Sequence, residues 1–188
     1  MTRYVDQTTS DGQPRGRCVV LPGSRYTPDG PLLFFAAQTA LVHGWDVRQV
    51  WWDVPPFASD AAEVAWVGDG LDAALDGYDG AVLVVGKSLG TLAAARAAAQ
   101  GYPAVWLTPL LSEPDAAEPL LSYPAEQLVV IGSDDPYLRQ DVLDALPGRH
   151  LVVPGDHVLR VAGDPAATVA SHAAFVDALD AWLTSTSA

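Results

Sequence analysis

Ala81-Val82-Leu83-Val84-Val85-Gly86-Lys87-Ser88-Leu89-Gly90, continued by Thr91-Leu92-Ala93-Ala94-Ala95-Arg96-Ala97-Ala98-Ala99, is the stretch on which the rest of the chain turns. The valine-rich run from Ala81 to Val85 predicts a strand buried on both faces. The alanine-rich run that follows has the best helix-forming composition available. Between them lies Gly86-Lys87-Ser88-Leu89-Gly90, a match to Gly-x-Ser-x-Gly. Placed at a sharp strand-to-helix turn, this pattern lifts a serine hydroxyl clear of a sheet and sets it beside a helix N-terminus. Small residues two positions either side are required because the turn is tight and strained. Backbone N–H groups at that helix start can receive an oxyanion.

Gly-Lys-Ser also closes the phosphate-binding pattern Gly-x-x-x-x-Gly-Lys-Ser/Thr. That spacing requires glycine at position 81, which is Ala81, and Gly80 falls one residue too early. The intervening residues read as strand rather than as a loop able to wrap phosphates.

Working outward, strands are expected at Arg17–Leu21, Trp45–Trp52, Ala104–Thr108, Gln127–Gly132 and Arg149–Val153. Helices are expected at Leu32–His43, from Ser59 or Asp60 to Asp76, at Asp115–Leu121, Tyr137–Leu146 and Ala166–Leu183. Pro31 suits a first helical turn and Gly44 a helix end. The alternation predicts an α/β protein: a three-layer α/β/α sandwich around a mostly parallel sheet of about six strands. Residues 1–16 are polar and read as a tail or an irregular edge segment; 17–188 read as one domain. Strand Trp45–Trp52 is expected at an exposed edge, where it could pair across a two-fold axis into a homodimer.

Composition narrows the function classes. The chain has 188 residues and a net charge of −13. Such a balance offers no basic surface for nucleic acid or anionic membrane. No apolar run approaches the ~18 residues of a membrane span, and the polar start of the chain does not read as a signal peptide. The single cysteine, Cys18, allows no disulfide within the chain and points to a reducing compartment. Cytoplasmic residence is therefore expected. No histidine or cysteine cluster has metal-ligand spacing, and no metal is expected.

Sites in parallel sheets lie beyond the C-terminal strand ends. After the first strand stands Pro22-Gly23-Ser24-Arg25-Tyr26, after the third Ser88, after the fifth Asp134-Asp135, and after the last Asp156-His157. A nucleophile, a carboxylate and a base thus follow one another in the order Ser, Asp, His. Ser88 is the candidate nucleophile and His157 the candidate base. Asp135 is the candidate orienting acid, with Asp134 beside it and Glu113 as a more distant alternative. The oxyanion donors would be the N–H of Leu89 and one from the first loop, Ser24, with Tyr26 the alternative. Lys87, the only lysine in the chain, is expected to pair with a carboxylate beneath the turn. His43, His150 and His172 fall on helices or at the wrong strand end. Trp52 and Trp106 lie near strand ends and could line an acyl pocket, with core packing the alternative.

Leu21-Pro22-Gly23, Gly86-Lys87-Ser88-Leu89-Gly90, Gly132-Ser133-Asp134-Asp135-Pro136-Tyr137 and Pro154-Gly155-Asp156-His157 together resemble the α/β-hydrolases, over nearly the whole chain. The resemblance implies hydrolysis of an ester, thioester or amide of a small-molecule acyl substrate, through an acyl-enzyme on Ser88 and without a cofactor. Two departures stand out. Pro22-Gly23 replaces the family's common His-Gly, and Pro109–Pro124 is too short for a substantial lid. An acyltransferase on the same residues, or a non-catalytic binding protein on the same fold, are the alternatives.

Overall fold

Strict alternation along the central strands divides the core in two. Val19 and Leu21, Val82 and Val84, Ala104 and Trp106, and Val129 and Ile131 face one side. Cys18 and Val20, Leu83 and Val85, Val105 and Leu107, and Leu128 and Val130 face the other. A sheet apolar on both faces must be covered on both, and the computed structural model, which describes residues 2–10 and 12–186, has that arrangement. Met1 and Asp11 of the expected tail, and Ser187 and Ala188 of the expected domain, lie outside the described residues.

Seven strands form one sheet: β1 (Arg3–Gln7), β2 (Gly16–Leu21), β3 (Trp45–Trp51), β4 (Val82–Lys87), β5 (Ala104–Leu107), β6 (Gln127–Gly132) and β7 (Arg149–Val153). Their order is β1-β3-β2-β4-β5-β6-β7. Every neighbouring pair is parallel except β1 with β3. Helices α2 (Asp60–Ala74), α3 (Ala94–Gln100), α4 (Pro114–Leu121) and α5 (Gln140–Leu143) cover one face. Helices α1 (Pro31–Val42) and α6 (Pro165–Ser185) cover the other. From α6, Phe175 and Trp182 are fully buried against the sheet, each contributing about 2–3 kcal/mol of apolar burial.

The sheet has one strand more than the six expected. The polar segment before Arg17 contains β1, a regular edge strand whose outward residues are paired: Arg48 grips Asp6 through two 2.8 Å bonds, and Arg3 lies over Trp51. Consequently Trp45–Trp51 is not an edge. β1 covers one side of it and β2 the other, so no two-fold partner can add there.

Order reverses between β2 and β4. The chain leaves β2 toward β3 and leaves β4 toward β5, so loops diverge and a crevice opens above both strand ends. The first loop follows β2 and the Gly-x-Ser-x-Gly turn follows β4.

Candidate active site

Ser88 begins a 3₁₀ helix, Ser88–Ala93, that leads into α3. The expected helix therefore opens with a tighter turn. Ser88 sits at φ 52°, in the left-handed region. For a non-glycine residue this costs about 1–3 kcal/mol and persists only where the surroundings impose it. The two glycines of the motif provide the space. A Cβ on Gly86 would stand 2.6 Å from the Gly90 carbonyl oxygen and 2.8 Å from Trp106. A Cβ on Gly90 would run into the carbonyl of Leu21 at the end of β2.

Three loops converge on this turn. The Ser88 hydroxyl lies 2.8 Å from His157 Nε2. His157 Nδ1 lies 2.8 Å from Asp135 Oδ2. With Asp135 accepting from Nδ1–H, Nε2 is left to accept from the serine hydroxyl. The Asp135 side chain has no exposed surface, and its other oxygen accepts the Tyr137 N–H at 2.9 Å. Both carboxylate oxygens are thus fixed. The Tyr137 ring tilts over the imidazole, centroids 5.0 Å apart.

The His157 loop is built around its neighbour Asp156. Oδ1 accepts from the N–H groups of Val158 and Arg160, and Oδ2 takes the Arg160 guanidinium. Burial opposes ionisation of Asp156, but these donors outweigh it and hold its carboxyl below the usual range. The two loops are stitched together where the Asp134 N–H donates to the Gly155 carbonyl. Asp134 itself points to solvent. Of the two adjacent aspartates, only Asp135 reaches the imidazole. Glu113 stands across the crevice, hydrogen-bonded to Ser112.

Leu89 is the second residue of the 3₁₀ helix, where N–H groups lack intrahelical acceptors. Gly23 lies against the turn, its Cβ position 3.3 Å from Ser88 Cβ, and Ser24 lines the crevice beside Ser88. The Tyr26 hydroxyl accepts the Leu32 N–H at 2.9 Å, at the start of α1.

Two cavities open from Ser88. The larger, about 280 Å³, runs between the first turns of α2 and α4 and is walled by Asp60, Glu63, Glu113 and Asp115. The smaller, about 200 Å³, lies between the first loop and the His157 loop and is lined by Arg25, Tyr26 and Lys87. Lys87 does not pair with a carboxylate as expected. Its ammonium rests over the Tyr26 ring, 4.8 Å from the centroid. Burial lowers its pKa to about 8, against the opposing pull of Asp135 and Asp156.

Other expectations fall away from the site. Trp52 packs on Trp66 and Trp106 on Tyr123; neither lines a cavity beside Ser88. The expected helix from Tyr137 begins only at Gln140, because Asp135 holds Tyr137 N–H in an Asx turn. His43 pairs with Asp180, and His172 contacts the Thr168 carbonyl. Sequence reasoning missed Tyr137 and the acidic wall. The Asp-Pro-Tyr spacing carried a signal for the first, since Asp commonly binds the N–H two residues on. Among the described residues no group of three His, Cys, Asp or Glu could hold a metal ion. No helix of theirs is long and apolar enough to cross a membrane.

No family model and no curated protein matches the chain. Solved structures do. A serine hydrolase homologue from Coxiella burnetii aligns over 96% of this chain and 90% of its own, with TM-score 0.73 and 13% identity. Est1E from Butyrivibrio proteoclasticus aligns over 97% and 93%, with TM-score 0.74 and 10% identity. A serine hydrolase without a lid from Xanthomonas campestris aligns over 97% and 88%, with TM-score 0.64 and 14% identity. Likeness at this identity speaks for the fold: the chain has the α/β-hydrolase fold.

Proposed function

We propose that this protein is a serine hydrolase that cleaves carboxylic esters of small acyl substrates through an acyl-enzyme on Ser88. The observation that carries this reading is the unbroken line Asp135–His157–Ser88, two hydrogen bonds of 2.8 Å each, at a strained turn. As Ser88 Oγ attacks the carbonyl carbon, its proton passes to His157 Nε2. Asp135 holds the resulting imidazolium in place. The carbonyl oxygen becomes an oxyanion, received by the N–H of Leu89 and that of Ser24. Collapse breaks the ester C–O bond, and the alcohol leaves with the proton from Nε2. Water then repeats the sequence, releasing acid and restoring Ser88. The same steps serve thioesters and amides, and none needs a cofactor.

Intact-mass labelling with a fluorophosphonate tests this. One adduct is expected on the wild type, none on Ser88→Ala, and a much slower one on His157→Ala. A folded wild-type protein that takes up no adduct would remove the hydrolase reading and leave a binding protein. An adduct with acyl release only to an added alcohol or amine, and not to water, would make it an acyltransferase.

A further inference from the structure

Lys87 is 2% exposed. Among the described residues its ammonium has neither a hydrogen bond nor an ion pair, only the Tyr26 ring beneath it. A buried charge without a partner is costly and is normally paired. Nothing in the turn demands a lysine there. The preceding residue needs only to fit under Gly23, which Lys87 does through its methylenes, Cδ lying 3.4 Å from the Gly23 Cβ position. A methionine or leucine would fill that space without a charge. Asp135 and Asp156 pull on the ammonium from a distance, but neither forms an ion pair with it, so its close anion is still wanting.

The place for one is adjacent. The 200 Å³ cavity lined by Lys87 and Arg25 also exposes Ser88 and His157, and no carboxylate lines it. This occurs in a chain with 23 acidic and 10 basic residues. On the other side of Ser88, four carboxylates and no basic residue line the larger cavity. The described arginine ion pairs all go to other aspartates. An anionic substituent is repelled there and has one side to enter.

We propose that the Lys87–Arg25 cavity binds a carboxylate of the substrate, so that the hydrolysed ester carries a carboxylate a few bonds from the scissile carbonyl, on its acyl or its alcohol half. This rests on the hydrolase reading above. The carboxylate would take the partnerless ammonium as its ion pair and fix which half of the ester lies in which cavity.

Two matched pairs of esters test it. p-Nitrophenyl hemiglutarate against p-nitrophenyl valerate places the carboxylate on the acyl half. The butyryl ester of 4-hydroxybenzoate against that of 4-methylphenol places it on the alcohol half. In one pair, kcat/KM is expected to favour the carboxylate by about tenfold. Lys87→Met should erase most of that ratio and Lys87→Arg should keep part of it. A wild-type ratio of one or less in both pairs, or a ratio unmoved in Lys87→Met, would overturn the proposal. A second measurement needs no turnover. With a single lysine, selective ¹³Cε labelling gives one side-chain signal. In Ser88→Ala, glutarate at about 50 mM, enough to populate even a millimolar site, is expected to move that signal. No movement, with the fluorophosphonate adduct present on wild type, leaves the hydrolase and removes the carboxylate site. Movement without any adduct on wild type removes the hydrolase and leaves the carboxylate site.

Discussion

The two walls that meet at Ser88 are opposite in kind. One is made of helix beginnings: Asp60 and Glu63 stand in the first turn of α2, and Glu113 and Asp115 at the start of α4. Acidic residues belong there for local reasons, since they complement the positive end of each helix. They are numerous and exposed or half-buried. The other wall rests on one buried cation, Lys87, with exposed Arg25 at its mouth. The first wall is explained by the helices it caps. The second has no such local explanation. A charge that serves its own element says little about ligands, while a buried charge with no close ion partner says a good deal.

The contrast can be tested at its shared centre first. Ser88→Ala should lower kcat by at least about a thousandfold for every ester, since nucleophile and base act as a unit. A rate that survives on substrates of either charge would mean the two cavities are not served by this serine. Next, Asp135→Asn should cost about 10³–10⁴ in kcat, because Asn cannot hold His157 in the required tautomer. Asp134→Asn should cost little, its side chain being solvent-facing. Steady-state rates on a p-nitrophenyl ester decide both.

Stability sharpens the Lys87 side. Its pKa is lowered in the fold, to about 8 from 10.5, so the folded state disfavours the proton that the unfolded chain still binds. The unfolded chain thus carries more protons between those values, and folding stability rises with pH through the window. Relative to Lys87→Met, the wild type should gain about 3 kcal/mol between pH 8 and 10.5, read from urea midpoints at each pH. A flat difference would mean the ammonium already has a partner. The smallest effect belongs to the acidic wall. Each of Glu63→Gln and Glu113→Gln should lower kcat/KM for a trimethylammonium-bearing ester about threefold and raise it for a carboxylate-bearing one, as expected of partly solvated charges. Raised salt should shrink the effect.

How much of this was readable differs from element to element. Ser88, Asp135 and His157 were legible because each directly follows a strand, and a parallel sheet brings strand ends to one edge. The central strands were legible from their apolar runs. β1 was not: Arg-Tyr-Val-Asp-Gln is polar on both faces, and its pairing with β3 comes from tertiary contacts to Arg48 and Trp51. Missing it made β3 look like an edge. The delayed start of the helix at Gln140 turns on one side-chain hydrogen bond, Asp135 to the Tyr137 N–H, which competes locally with helix formation. The acidic wall depends on α2 and α4 beginning side by side. No spacing within 60–115 announces that, since it follows from where the strands sit in the sheet. The want of a partner for Lys87 is likewise a fact of three dimensions.

The left-handed backbone at Ser88, φ 52°, has a consequence for the history of such a chain. Glycine adopts that conformation without strain, so Ser88→Gly should raise the unfolding midpoint while ending any chemistry at the turn. A lineage released from selection for activity would find this substitution favourable, and glycine at position 88 would mark descendants that keep the fold after losing the reaction. Serine persists there only while something selects for its hydroxyl.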